Sequence, residues 1–118
     1  MAHRKPNERE THLIRTLADA AHGLRADANW IEQLLVEPLA DGGMGSLRLH
    51  LHGCAERDQK FGRVGSELMF KDVDGVDVIA TLYLDEIGAP FELDVWKVTY
   101  APLIQIPEVL PLAHSPTV

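Results

Sequence analysis

A pair of histidines on one predicted strand comes closest, in residue type and spacing, to a metal site. His50 and His52 are one residue apart, so in an extended chain both imidazoles point to the same side, and Cys54 continues that spacing. Imidazole nitrogens and thiolates are ligands for zinc and other transition metals. The competing interpretation is that the histidines line the solvent face of an amphipathic strand. That interpretation is favoured because two ligands do not complete a site, and the sequence predicts no cofactor.

A glycine-rich turn with Gly42, Gly43 and Gly45 is a second candidate, because glycine loops can cradle a phosphate or another small ligand. Phosphate loops bind through the amides of a helix N-terminus, often with a lysine. Here a strand rather than a helix is predicted after the turn. A tight turn that needs positive φ angles explains the glycines better.

Two carboxylates, Glu92 and Asp94, form a third chemical feature. They are two residues apart on a predicted strand, about 7 Å along the chain, and paired catalytic acids use separations of this size. The sequence offers no cleft or electrophilic group beside them. The favoured interpretation is therefore that these carboxylates are solvated or lie in an interface. No catalytic residue is predicted, and whether the protein is an enzyme stays open.

One helix and about five strands are predicted to position these groups. Residues 6–21 have apolar side chains at helical spacing, with a proline suited to the first turn. Residues 28–39 predict a short helical turn followed by an edge strand, since Pro38 has no N–H for a central ladder. Further strands are predicted at residues 46–52, 64–71, 76–85 and 91–99, with a polar loop at 53–62. The fold class is α+β, with the N-terminal helix packed on an antiparallel β-meander and a Pro-rich C-terminal tail.

Two connections set the predicted faces of the sheet. A type I′ turn centred on Asp74 and Gly75 pairs Phe70 with Ile79, and closure of the next loop pairs Ile79 with Trp96. The resulting apolar face should pack against the helix and holds Met69, Val78, Ala80, Leu82, Leu84, Phe91, Leu93 and Val95. The second predicted face holds Ser66, Leu68, Phe70, Ile79, Thr81, Tyr83, Glu92, Asp94, Trp96 and Val98.

The second predicted face mixes large apolar groups with carboxylates, which is unusual for a surface exposed to water. Coverage by the Pro-rich tail or by the first hairpin is the commoner explanation. The alternative is an interface, and aromatic residues beside carboxylates suit a protein partner better than a catalytic cleft. On that interpretation the partner is bound by Tyr83, Glu92, Asp94 and Trp96.

Length and composition narrow the classes of function. The 118 residues suit a single domain, with a core at about residues 6–100 and an extended tail at 101–118. A net charge of −7, from 18 acidic and 11 basic residues, disfavours nucleic acid and suits a basic partner. One cysteine excludes an internal disulfide. The sequence contains no visible secretory signal or membrane-spanning stretch, so a cytoplasmic location is expected.

Several motifs resemble those of a family of small bacterial proteins classed as a domain of unknown function. In chain order they are DGGMGSL at residues 41–47, FG at 61–62, DVDGV at 72–76, FELDVWKV at 91–98 and PL at 102–103. The resemblance covers about residues 10–107 and implies one small α+β domain. It implies no established activity, cofactor or catalytic residue, and His50, His52 and Cys54 lie outside its pattern.

These observations favour a non-enzymatic protein-binding module of a bacterial cytoplasm, comparable to an immunity protein that neutralises a basic partner. One alternative is a small ligand- or metal-binding protein, or an enzyme, that uses the glycine turn together with His50 and His52. Another is a homodimer formed through the face that contains Trp96.

Overall fold

One antiparallel sheet forms the framework of the protein in a computed structural model that describes residues 3–51 and 59–116. Its strands are β1 (Leu35–Pro38), β2 (Leu47–His50), β3 (Phe61–Lys71), β4 (Asp77–Asp85) and β5 (Pro90–Lys97), in the order β1-β2-β5-β4-β3. The helices are α1 (Glu8–Ala20) and the short α2 (Trp30–Gln33). The predicted α+β class, with a helix on a five-stranded antiparallel sheet, is confirmed. Strands β3, β4 and β5 form a meander, and β2 joins it through β5.

Helix α1 begins with a capping box. The Asn7 side chain accepts a hydrogen bond from the Glu10 N–H at 2.8 Å, and the Glu10 carboxylate accepts one from the Asn7 N–H at 2.9 Å. Pro6, predicted in the first turn, lies before this cap, so the predicted start is wrong by two residues. The buried side of α1 contributes Leu13, Ile14 and Leu17 to the hydrophobic core.

The loop between β3 and β4 differs from the predicted type I′ turn. The Asp72 N–H donates to the Val76 carbonyl at 2.9 Å, and the Gly75 N–H donates to the Asp72 carbonyl at 2.8 Å. Gly75 carries the positive φ of this loop, 83°, as in three-residue hairpin loops that end in a left-handed glycine. Phe70 therefore pairs with Val78 rather than with Ile79.

This difference in the loop turns the side chains of β3 over, because a shift of one residue exchanges the two faces of a strand. Ser66, Leu68 and Phe70, predicted on the second face, are buried on the side of α1. The Ser66 hydroxyl donates to the Leu17 carbonyl of α1. Met69, predicted in the core, is 55% exposed on the other side of the sheet.

The pairing of β4 with β5 agrees with the sequence-based prediction, since Ile79 faces Trp96 and Tyr83 faces Glu92. Beyond that pair, Leu84 faces Pro90, so Phe91 is the extra residue of a β-bulge. The Phe91 ring lies under the Arg48 guanidinium, whose carbon is 4.6 Å from the ring centre. Phe91 is thus buried outside the core cluster, and its predicted place on the core face is wrong.

The Pro-rich segment after β5 lies on the side of the sheet that carries α1. Ile106 is buried in the core, and Arg9 of α1 donates to its carbonyl at 2.6 Å. Leu103 and Leu110 pack against the same core.

A buried ion pair joins the β3–β4 loop, the end of β5 and this segment. Lys97 Nζ lies 2.8 Å from Asp72 Oδ2 and 2.7 Å from Asp74 Oδ2. The Asp72 carboxylate also accepts the N–H groups of Ile104 and Gln105, at 2.8 and 3.1 Å. The side chains of Lys97 and Asp72 are 1% and 0% exposed. Removing one charge would leave the other buried without compensation.

Replacing Lys97 with methionine should lower the free energy of unfolding by about 3–5 kcal/mol, because the Asp72 carboxylate stays buried without its cation. Lys71→Met is the matched control. Lys71 pairs with Asp77 at 2.7 Å but is 70% exposed, so its loss should cost about 1 kcal/mol or less. Urea unfolding at neutral pH measures both changes, and equal losses would contradict a special role of the buried pair.

Stability should fall in acid as Asp72 is protonated. Burial raises the pKa of Asp72, but hydrogen bonds from Lys97 and from backbone N–H groups outweigh it and lower that pKa from 3.8 to about 2. An acid with a lowered folded-state pKa stabilises the fold above its unfolded-state pKa, and this contribution is lost as pH falls through the folded-state value. The free energy of unfolding should therefore decrease between about pH 4 and about pH 2. Carboxyl NMR titration of Asp72 gives the pKa directly, and a midpoint near the unfolded value would refute this account.

Candidate functional site

The sheet face opposite α1 is the candidate functional site and is called the open face below. It consists of Glu67, Met69, Ile79, Thr81, Tyr83, Glu92, Asp94, Trp96 and Arg48. The structure thus brings together all four residues predicted to bind a partner, which are Tyr83, Glu92, Asp94 and Trp96. Among the described residues, neither α1 nor the Pro-rich segment covers this face, and Met69 and Trp96 remain 55% and 36% exposed. The described part of the Pro-rich segment reaches this face only at the β3 edge, where His114 contacts Glu67.

The open face is organised as three rows of cross-strand neighbours. Side chains that face each other on adjacent strands lie close enough to act together. The rows are Met69 with Ile79 and Trp96; Glu67 with Thr81 and Asp94; and Tyr83 with Glu92 and Arg48. The first is called the apolar row and the other two the acidic rows. A partner that covers the open face would meet apolar anchors on one side and carboxylates on the other.

Two exposed aromatic rings extend the open face at opposite ends. The rings of Trp96 and Tyr100 meet edge to face with their centres 6.0 Å apart, and those of Tyr83 and Phe61 do so at 5.4 Å. Tyr100 is 70% exposed and Phe61 is 57% exposed. Aromatic side chains at such positions provide large contact areas and are enriched in protein interfaces.

Two carboxylates of the acidic rows, Glu92 and Asp94, lie where their ionised forms are disfavoured. Burial raises the pKa of Glu92, and Arg48, whose Nε is 3.6 Å from Glu92 Oε1, only partly offsets this. Burial also raises the pKa of Asp94, with a further increase from Asp41 and a partial offset from the Ser46 hydroxyl. A cation brought close to these groups would favour their ionised forms.

The Tyr83 phenol belongs to the same electrostatic cluster. Burial raises its pKa, and the carboxylates of Asp94, Glu92 and Glu67 raise it further. Because negative charge nearby disfavours a phenolate, Tyr83 remains a protonated hydrogen-bond donor at neutral pH.

The glycine turn is a tight turn that the protein's own chain covers. The Asp41 carboxylate accepts the N–H groups of Met44 and Ser46, at 3.1 and 2.9 Å. These amides are therefore engaged inside the turn. The Leu103 N–H donates to the Gly43 carbonyl at 3.0 Å. Gly43 has a φ of 83°. Its backbone faces the Pro-rich segment, whereas a phosphate cradle would be open to its ligand.

Of the two histidines in the predicted metal pair, His50 lies among the described residues. His52, like Cys54, lies outside the described residues. His50 stands on β2 with its Nε2 3.0 Å from Glu37 Oε1, and His3 Nε2 is 3.5 Å from the same oxygen. Sequence reasoning missed His3 and Glu37, because their proximity depends on the β1–β2 register and on the position of the N-terminal segment.

A helix on one face of a five-stranded antiparallel sheet, with an acidic and aromatic open face, defines a small α+β domain. The model of DUF6984, a domain of unknown function, matches residues 3–107, and the chain belongs to that family. No curated protein and no solved structure matches this chain. Within residues 3–51 and 59–116, neither helix has the length and apolar character needed to cross a membrane.

Replacing Asp94 with asparagine should stabilise the free protein at neutral pH. When the pKa of an acid is higher in the folded state than in the unfolded state, the acid stabilises the fold fully only at pH values below its unfolded-state pKa. This stabilisation is lost as the pH rises through the folded-state pKa. The substitution removes the cost of holding an ionised Asp94 in a partly buried site, so the free energy of unfolding should rise by roughly 0.5–2 kcal/mol at neutral pH. The gain should vanish near about pH 3, where the carboxyl group is protonated.

Glu86→Gln is the control for this change, since Glu86 is an exposed carboxylate in the turn after β4. It should alter stability by no more than about 0.5 kcal/mol. Urea unfolding at the two pH values compares the variants. A destabilised Asp94→Asn protein at neutral pH would show that the Asp94 charge is needed by the fold.

Proposed function

We propose that the protein is a non-enzymatic binding module of a bacterial cytoplasm whose open face binds a basic region of a partner protein. The supporting observation is the arrangement of the apolar row, Met69 with Ile79 and Trp96, directly beside the acidic rows. In protein interfaces, aromatic and methionine anchors at the centre supply most of the binding energy, and polar groups around them fix the orientation.

The shape of the open face supports a macromolecular partner. Small-molecule sites are concave and enclose most of the ligand surface. The open face is instead one side of a sheet, with the Trp96 and Met69 side chains exposed above it. A second protein can cover such a surface and bury both anchors.

The charges of the open face support a basic partner. Arg48 lies beside Glu92, but no Lys, Arg or His side chain of the described residues lies within 4.0 Å of the Asp94 carboxylate. Burial raises the pKa values of Asp94 and Glu92, a neighbouring carboxylate raises each further, and Arg48 offsets the effect at Glu92 only in part. A lysine or arginine from a partner would relieve this, and the net charge of −7 would accelerate its approach.

The same charges argue against a homodimer through the open face. A two-fold pairing presents one surface to an identical copy. Glu67, Glu92 and Asp94 would then meet the same acidic surface of the second copy, on which Arg48 is the one cation among the residues of the open face. Such like-charge contacts oppose association, so a basic partner is the stronger proposal.

A photo-crosslinking residue at position 69 tests the proposal in cells that contain the partner. Met69 lies in the apolar row and is 55% exposed, whereas Leu112 of the Pro-rich segment is 93% exposed and serves as the control position. We expect an adduct with a second, basic protein from position 69 but not from position 112. Adducts only between copies of this chain would establish the homodimer instead.

Charge reversal then tests the chemistry of binding. Glu92→Lys/Asp94→Lys should abolish the adduct. Glu86→Lys/Asp27→Lys makes the same change in net charge at exposed positions and should retain it. With the purified partner, Trp96→Ala should weaken the affinity by about 2 kcal/mol, roughly 30-fold. The proposal would be refuted if neither Glu92→Lys/Asp94→Lys nor Trp96→Ala reduced the adduct or the affinity.

A further inference from the structure

Two histidines and one carboxylate converge where the N-terminal segment pairs with the outer edge of β1. His50 Nε2 is 3.0 Å and His3 Nε2 is 3.5 Å from the same oxygen, Glu37 Oε1. One ligand atom from each residue lies within 4.8 Å of the other two. The imidazole rings are stacked with their centres 4.0 Å apart, so a shared ion requires at least one ring to rotate out of the stack until the ion lies in the plane of both.

Backbone pairing places each of these residues. Val36 forms two hydrogen bonds with Arg4, at 2.9 and 2.6 Å, which fix the neighbouring His3 beside β1. The Arg4 guanidinium is held in turn by Glu10 of the α1 capping box, at 2.7 Å. Glu37 and His50 stand on paired strands, β1 and β2. The cluster therefore rests on the sheet and on the helix cap.

We propose that His3, Glu37 and His50 bind a divalent transition-metal ion of the zinc class. A tetrahedral zinc ion with ligands at about 2.0–2.1 Å needs ligand atoms about 3.3 Å apart. The two nitrogen–oxygen separations, 3.0 and 3.5 Å, bracket this value. Two imidazoles with one carboxylate form a known zinc set that leaves the fourth position for water or another ligand.

The surroundings of the cluster allow an ion to enter. The side chains of His3, Glu37 and His50 are 40%, 30% and 25% exposed, so the ligand atoms are reachable but partly shielded from water. Arg48, which faces Glu37 on β2, is the neighbouring cation. Glu92 lies 3.6 Å from Arg48 and offsets its charge.

A bound ion would fasten the N-terminal segment to two strands. The ligands come together only in the folded chain, so zinc that binds the folded state alone raises the melting temperature. Mg²⁺ prefers oxygen ligands and a nearly complete octahedral shell. It should therefore leave the melting temperature unchanged.

Isothermal titration of tag-free protein with zinc chloride tests the site, with thermal unfolding as a second readout. We expect one ion per chain and a rise in melting temperature. His3→Ala, Glu37→Gln and His50→Ala should each weaken zinc binding by at least about 100-fold. Unfolding without zinc shows whether each variant remains folded.

Two histidine controls make the outcome decisive. His12→Ala, at an exposed position of α1, and His52→Ala should both retain the affinity of the natural sequence. Absence of zinc binding would overturn the proposal. So would equal affinities for the natural sequence and His50→Ala. Loss of binding in His52→Ala with retention in His3→Ala would also overturn it, since the ion would then belong to His50 and His52.

Discussion

The buried contact between Lys97 and Asp72 determines where three separate parts of the chain lie. Lys97 is the last residue of β5, Asp72 follows β3, and the amides that bind Asp72 belong to the Pro-rich segment. Lys97 Nζ also approaches the Pro102 carbonyl at 3.3 Å. Because one carboxylate satisfies a lysine and two backbone amides, the segment is directed toward α1 at the point where it leaves β5. Apart from the contact between His114 and Glu67, the open face therefore remains free of the described part of the segment.

Strand β5 contributes to both the core and the open face, because its successive side chains point to opposite sides of the sheet. In β5, Leu93, Val95 and Lys97 point toward the α1 side, while Glu92, Asp94 and Trp96 point away. Three of the sequence motifs have a clear structural role. The aspartates of DVDGV hold the lysine of FELDVWKV, and the glycines of DGGMGSL admit the segment that follows Pro102.

The sequence predicted the fold class, the β4–β5 register and the shared face of Tyr83, Glu92, Asp94 and Trp96, because both strands alternate without interruption. It misplaced β3, because an Asp-Gly pair can close loops of two or three residues, and one residue decides which face is buried. The bulge at Phe91 gives no distinct pattern. Lys97 is on neither predicted face, because lysine is ordinarily exposed and its partners resembled ordinary turn aspartates. The grouping of His3 with Glu37 and His50 depends on contacts between segments far apart in the chain.

The two ends of the described chain each pair with one outermost strand of the sheet. Arg4 bonds to Val36 on β1, and His114 exchanges two backbone hydrogen bonds with Glu67 on β3, at 2.9 and 3.0 Å. Exposed strand edges are templates for aggregation, because another chain can add to their free N–H and C=O groups. Here an incoming strand would first have to displace one of these ends. Edge-to-edge growth is thereby hindered at these two positions.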